Sequence, residues 1–200
     1  MALRPSLQND LPLFPLPTVL YPGGHMRLRI FEPRYLDMVR ECTRHSSHFG
    51  VCMILPARES GMPAVPAAIG TLARIIDFHS SDGLLAILVE GDQRFRVLRS
   101  RARADGLLRG TVQVWPIESP PAVPVEFALL QSIAERLVET MAPHWRHAPR
   151  EVYEDASWLG FRLAELLPLD TGEQQRMLEL TDPLRRLAEL RDILPRFQKA

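Results

Sequence analysis

The sequence predicts an α+β protein in which a β-barrel is followed by a helical bundle. In the first half, short apolar strand patterns recur at roughly 8–12-residue spacing with glycine turns between them, which is typical of a closed or nearly closed barrel. After the proline-rich linker at residues 119–124, apolar residues recur with the helical period instead. We therefore expect a barrel over residues 1–118 and a helical subdomain over residues 125–200.

The strand predictions start with a short, proline-containing segment at residues 11–16. In His25–Ile30, apolar residues alternate with arginines, as in a half-buried strand. Pro33 is favoured at the first position of a helix, and the apolar residues that follow it have helical spacing. They predict a short amphipathic helix over residues 33–44, with the next strand over Phe49–Leu55.

Further strands are predicted over residues 70–79, 84–90, 94–97 and 107–115. Asp82-Gly83 is a strong hairpin signal between the first two of these strands. Residues 56–68 contain three prolines and a glycine, so we expect a flexible loop there.

Four amphipathic helices are predicted in the second half. The residues expected to line the buried face of the first are Leu129, Ile133, Leu137 and Met141. Apolar residues between 158 and 167 belong to the second helix. Thr171 and Gln174 resemble a capping box that starts the third, and Asp182-Pro183 starts the fourth.

The composition excludes several enzyme classes. Lysine and arginine together number 24, as do aspartate and glutamate, and the one lysine is Lys199. A phosphate-binding P-loop needs a lysine after a glycine-rich turn, and a Ser–Lys dyad needs a buried lysine, so neither is expected. The sequence also lacks the Gly-x-Ser-x-Gly elbow of a hydrolase.

No apolar run approaches the roughly 20 residues of a membrane helix, and the N-terminus does not resemble a signal peptide. We expect a cytoplasmic protein without a membrane partner.

Four possible zinc ligands lie close together in the sequence, namely Cys42, His45, His48 and Cys52. Structural zinc sites show tighter paired spacing, and a small residue that alternates in a strand is usually buried. We predict two reduced, packed cysteines and neither a metal nor another cofactor.

An arginine series is the most notable charge feature, and it comprises Arg94, Arg96, Arg99, Arg101, Arg103 and Arg109. If the strands are adjacent, Arg94, Arg96 and Arg101 could contact the phosphates of RNA. The alternative is a solvated sheet face, on which arginines discourage pairing between sheet edges.

Several ordered motifs resemble the N-terminal substrate-binding domain of Lon proteases. The opening of that domain is similar to residues 11–17, 19–24 and 28–35, the last ending in Phe31-Glu32-Pro33-Arg34-Tyr35. Its two internal signatures resemble residues 70–75 and 88–97, and its helical part resembles residues 167–169, 174–179 and 185–190. The resemblance extends over about residues 8–195.

The resemblance implies a PUA-like β-barrel followed by a helical bundle. In the family, this domain captures unfolded or tagged polypeptides for an ATPase and a Ser–Lys protease that follow it. Neither module is present in this sequence, so we expect a non-catalytic binding module, an adaptor or holdase, with a polypeptide or protein partner. RNA binding is the alternative.

The candidate peptide-binding surface comprises Phe31, Glu32, Arg34 and Tyr35 with the proline-rich residues 56–66. The competing interpretation places Phe31 and Tyr35 in the core, with Glu32 and Arg34 forming a local ion pair.

Overall fold

The structure is a computed structural model that describes residues 5–55, 65–81, 84–119 and 121–197. It comprises two compact units, Met1–Ile117 and Glu118–Ala200. The first is rich in strands and the second contains several helices, which confirms the predicted α+β class. The predicted hairpin residues Asp82-Gly83 and most of the proline-rich loop lie outside the described residues.

Six strands and one helix form the strand unit. They are β1 (Ser6–Leu16), β2 (His25–Ile30), α1 (Pro33–His45), β3 (Phe49–Leu55), β4 (Val65–Ser81), β5 (Leu84–Ala102) and β6 (Leu108–Val114). The bounds of β2 and β3 are those predicted. The two strands predicted over residues 84–90 and 94–97 are instead one strand, β5, because the chain stays extended and paired with β4 through Gly91.

The sheet order is β2-β5-β4-β3-β1-β6, and β6 also pairs with β5. The pairing of β5 with β6 closes five strands into a ring, and β2 continues the sheet beside β5. Strands β1 and β3 are parallel, whereas the other pairs are antiparallel. The ring is therefore the barrel that the strand pattern predicts.

The apolar core of the strand unit consists of two clusters. One contains Phe49 and Ile87 together with the buried face of α1, which is Met38, Val39 and Cys42. The other surrounds Phe95, whose side chain is fully buried. Burial of these faces is the main stabilising contribution, at roughly 25 cal/mol per Å² of apolar surface.

The helical unit contains α2 (Ala128–Met141), α3 (Ala156–Leu166), α4 (Thr171–Glu179) and α5 (Pro183–Ile193). The prediction for the buried face of α2 was wrong: Leu129 and Met141 are 60% and 56% exposed. The buried residues are Leu130, Ala134 and Val138. Two parallel stripes of apolar residues with i, i+4 spacing run along this helix, and tertiary packing buries the one that contains the small Ala134.

Two helix starts show how local hydrogen bonds set the boundaries. Asp170, and not Thr171, caps α4, because its carboxylate accepts a hydrogen bond from the Glu173 amide at 2.8 Å. Glu173 in turn accepts from the Asp170 amide at 3.0 Å, which completes a capping box. Asp182 caps α5 as predicted, since it accepts from the Leu184 amide at 2.9 Å.

Among the described residues, none of the helices combines the length and the apolar character required to cross a bilayer.

Candidate peptide-binding groove

An open groove of about 600 Å³ lies in the strand unit where β2 leads into α1. All four residues of the predicted peptide-binding surface line it. Arg27, Leu28 and Arg29 of β2 also line it. Its other walls come from distant parts of the chain: Phe14, Pro15 and Leu16 of β1, Ile54 of β3, Gly106 in the turn before β6, and Leu108 at the start of β6. We call this feature the β2–α1 groove.

Phe31 is the exposed apolar residue of the β2–α1 groove. Side chains alternate along β2, so Leu28 and Ile30 point into the core. Phe31 follows directly and remains 66% exposed. A large ring that the protein's own core does not cover is available to a binding partner.

Tyr35 is half-buried at the bottom of the groove. Its ring meets that of Phe14 edge to face, with 4.2 Å between the centroids. Burial raises the pKa of the Tyr35 phenol, although the neighbouring Arg34 acts in the opposite direction. Tyr35 therefore belongs partly to the core and partly to the groove, whereas Phe31 does not belong to the core.

Arg34 ties three parts of the groove together. Its Nη2 lies 2.6 Å from the Glu32 carboxylate, so the local ion pair considered above does form. Its Nη1 donates to the Gly106 carbonyl at 3.0 Å, and its guanidinium lies 4.8 Å from the centre of the Tyr35 ring. Gly106 has a φ of 81°, a left-handed conformation that favours glycine at this contact.

The charged residues of the groove are predominantly basic. Arg27 and Arg29 are exposed on the same face of β2. Together with Arg34 they give the groove three guanidinium groups, whereas Glu32 contributes the one carboxylate among its lining residues. Of the proline-rich loop, residues 56–64 lie outside the described residues.

The three arginines of the predicted RNA surface do not share one exposed face. Arg94 is only 5% exposed, and its guanidinium lies 5.0 Å from the centre of the Trp115 ring. Arg96 is exposed and lies 5.8 Å from the centre of the same ring, whereas Arg101 binds Asp10 at 3.1 Å. Sequence reasoning missed the contact of these arginines with Trp115. The antiparallel pairing of Phe95 with Val114 places Arg94, the residue before Phe95, beside Trp115, the residue after Val114.

Both cysteines are buried and form no disulfide. Burial raises the pKa of the Cys52 thiol to about 12. Burial also raises the pKa of Cys42, partly offset by its hydrogen bond with Ser47, and the Cys42 thiol lies 3.6 Å from the His48 carbonyl oxygen. Within the described part of the chain, no three His, Cys, Asp or Glu side chains are grouped as a metal site requires.

The profile of the ATP-dependent protease La (LON) substrate-binding domain matches residues 10–196. Among curated proteins, cereblon of Gallus gallus is 30% identical over 131 residues, which cover 63% of this chain and 28% of cereblon. A LON peptidase N-terminal domain and RING finger protein of Schizosaccharomyces pombe is 26% identical over 90% of this chain and 44% of its own length. The chain thus spans less than half the length of these relatives.

Two solved structures are similar over almost the whole chain. A Lon N-terminal domain protein from Xanthomonas campestris has a TM-score of 0.77 and 44% identity, covering 92% of this chain and 97% of that one. The N-terminal domain of a Lon protease from the Mycobacterium avium complex has a TM-score of 0.64 at 18% identity, covering 92% and 96%. At this level of identity, the likeness to the mycobacterial domain shows that the two chains share a fold.

Proposed function

Because this chain belongs to the ATP-dependent protease La (LON) substrate-binding domain family, we propose that its β2–α1 groove binds extended polypeptide segments. The observation that carries the proposal is Phe31, which is 66% exposed beside a groove with apolar walls and an arginine-rich rim. A partner side chain placed against this ring loses contact with water, which is favourable without any specific hydrogen bond.

The rim indicates which polypeptides are preferred. Glu32 is neutralised by Arg34 at 2.6 Å, which leaves the exposed Arg27 as a cation at the edge of the groove. Carboxylates of a partner complement such a rim, and complementary charge contributes to specificity and to the rate of association. The preferred occupant is therefore a segment in which an aromatic or aliphatic residue is flanked by aspartate or glutamate.

The chain acts in this proposal as an adaptor or holdase that binds a polypeptide without cleaving it. The family match lies in a substrate-binding domain. The sequence contains no P-loop motif, and its one lysine is Lys199, next to Ala200. Hydrolysis of ATP or casein that persists through repurification of the chain contradicts this part of the proposal.

Fluorescence anisotropy with labelled 12-residue peptides tests the groove. One peptide carries a central phenylalanine flanked by aspartates, and a second carries lysines in place of the aspartates. Phe31→Ala is expected to weaken binding of the acidic peptide about tenfold or more, because burial of a Phe side chain contributes roughly 1.5–3 kcal/mol. Arg27→Gln is expected to reduce the preference for the acidic peptide over the basic one.

Matched variants outside the groove are the controls. Phe78→Ala removes an aromatic ring that is 47% exposed, and Arg44→Gln removes an exposed charge from α1. Both are expected to bind like the parent chain. Equal losses for Phe31→Ala and Phe78→Ala, or equal binding of both peptides, contradict the proposed site.

Salt dependence separates polypeptide binding from RNA binding. Apolar burial changes little with ionic strength, so the affinity for a peptide is expected to persist up to ~0.3 M salt, while the preference for the acidic peptide over the basic one narrows because salt screens the exposed arginines. RNA held by several arginines is expected to weaken with a slope near −0.7 per phosphate contact on a log–log plot. Tight, strongly salt-dependent RNA binding with no peptide binding supports the RNA function instead.

A further inference from the structure

A second cavity lies on the strand unit and extends across β6, from β1 on one side to β5 on the other. On one side of β6, the register of β1 shifts between Gln8 and Leu11. On the other side, the register of β5 shifts between Val97 and Arg99. These two bulges flank the same part of β6 and border a cavity of about 330 Å³, which we call the bulge pocket. Bulges occur preferentially at sheet edges and beside functional sites.

The bulge pocket is lined by more cations than anions. Arg99, Arg101 and Arg109 line it together with one carboxylate, that of Asp10. Arg99 forms no ion pair with any of the described residues. The hydroxyl groups of Ser100 and Thr111 also line the pocket.

Arg109 is the buried member of this set, with a side chain only 6% exposed. Its Nη1 donates to the Asp10 carboxylate at 3.2 Å and to the Asp10 carbonyl at 3.0 Å, and its Nη2 binds Glu41. Its Nε is buried and has no hydrogen-bond acceptor within the described part of the chain. Buried donors normally have an acceptor, so this N–H calls for an explanation.

Asp10 occupies the pocket under strain. Its φ is 56°, in the left-handed region that residues other than glycine seldom adopt. Its carboxylate lies between Arg101 and Arg109, at 3.1 and 3.2 Å. The side chain is still 53% exposed, so an incoming anion can share or replace its contacts.

We propose that the bulge pocket binds the phosphate group of a small phosphomonoester or free phosphate, with Arg99 and Arg101 contacting its oxygens and Arg109 supplying buried positive charge. Guanidinium groups match phosphate oxygens in geometry and form charge-assisted hydrogen bonds with them. The volume suits one phosphate group with a small attached moiety, not a strand of nucleotides. This site is independent of the β2–α1 groove.

Titration with inorganic phosphate, followed by ¹H–¹⁵N NMR at constant ionic strength, tests the proposal. Saturable shifts are expected for the amides of Asn9, Asp10 and Thr111. Arg99→Gln and Arg101→Gln are each expected to weaken binding about tenfold, the scale of one lost charge-assisted hydrogen bond. Arg136→Gln, which removes an exposed charge from α2 of the helical unit, a unit that contributes no residue to the pocket lining, is expected to leave binding unchanged.

Asp10→Asn is expected to strengthen phosphate binding, the opposite of the effect of the two arginine variants. Removal of the competing carboxylate frees Arg101 of its ion pair and leaves Arg109 paired with Glu41 alone. Phosphate is therefore expected to bind several-fold more tightly, whereas a merely structural role of Asp10 predicts no gain. Thermal unfolding of each variant checks that it is folded. Shifts that stay linear to about 20 mM phosphate, where a millimolar site saturates, or an unchanged affinity in Asp10→Asn, overturn the proposal.

Two further ligands distinguish the source of the phosphate. A nucleoside 5′-monophosphate that competes with inorganic phosphate and binds more tightly identifies a phosphomonoester. Single-stranded RNA that binds equally well with and without a 5′-phosphate, and is not displaced by inorganic phosphate, overturns the pocket in favour of an extended nucleic-acid surface.

Discussion

Arg186 in the helical unit and Arg109 in the strand unit are both buried, but their carboxylate partners differ in exposure. Arg186 is fully buried, and the side chain of its partner Glu118 is only 10% exposed. Arg109 is 6% exposed, yet its partners Asp10 and Glu41 are 53% and 38% exposed. Of these two buried arginines, Arg109 is the one whose carboxylate partners lie within easy reach of water.

The remaining contacts of Arg186 explain the difference. Its guanidinium donates to the Met177 carbonyl at 3.0 Å and to Glu118 at 2.7 and 3.1 Å, and it lies 3.8 Å from the centre of the Phe161 ring. Since its Nε and both terminal nitrogens donate within its own unit, Arg186 acts as a structural cross-link. The Nε of Arg109, in contrast, is buried without an acceptor among the residues that the structure describes, so the contacts of this guanidinium are less complete than those of Arg186.

Arg186→Ala is expected to cause the largest loss in the free energy of unfolding. This change leaves Glu118 and the Met177 carbonyl without their buried cation, and loss of one partner from a buried pair typically costs about 3–5 kcal/mol. Arg185→Ala removes an exposed arginine that pairs with Glu189 at 3.4 Å, and its cost is expected to stay below about 1 kcal/mol. Urea unfolding at pH 7 measures both. Similar losses for the two variants contradict the cross-link.

Arg109→Ala is expected to have an intermediate effect. Hydrogen bonds to charged groups contribute about 1.5–3 kcal/mol, and Asp10 and Glu41 are exposed enough for water to replace part of what is lost. The free energy of unfolding is therefore expected to fall by less than in Arg186→Ala. A loss larger than that of Arg186→Ala shows that exposure of the partner does not explain the difference between the two units.

The smallest loss in the free energy of unfolding is expected when an exposed ion pair in the helical unit is removed. Arg196 donates to both carboxylate oxygens of Glu173, at 2.7 and 2.8 Å, and this hydrogen bonding lowers the pKa of Glu173. A carboxyl group whose pKa is lower in the folded state than in the unfolded state stabilises the fold at pH values above the unfolded-state pKa, which is near 4.5. This contribution is lost as the pH falls through the folded-state pKa.

Glu173→Gln is therefore expected to cost about 0.5–1 kcal/mol at pH 7 and nearly nothing at pH ~2. Glutamine can still close the capping box with Asp170, so the variant isolates the charge. Glu139→Gln, on the exposed face of α2, serves as the control in chemical unfolding across this pH range. A cost that is the same at both pH values shows that the cap, and not the ion pair, is responsible.

Sequence reasoning groups residues correctly where they are neighbours in the chain, although the role of the four groove residues in peptide binding stays a prediction. Phe31, Glu32, Arg34 and Tyr35 are close in the chain, so a turn between β2 and α1 places all four at one groove. The face of α2 was misplaced by one residue, because Leu129 and Leu130 both begin apolar stripes with helical spacing. Only packing against the other helices selects between two such stripes.

The sequence by itself determined the fold class, the bounds of β2 and β3, the start of α5 and the family resemblance. These features depend on local alternation, capping and ordered motifs. Tertiary structure alone decided the walls of the groove, the burial of Arg94 against Trp115, and the bulge pocket. Each depends on pairing between segments far apart in the chain: Asp10 meets Arg101 and Arg109 only because β1 and β5 both pair with β6. A local pattern predicts that each segment is a strand, but which strands pair and where their bulges fall depends on contacts between segments far apart in the chain.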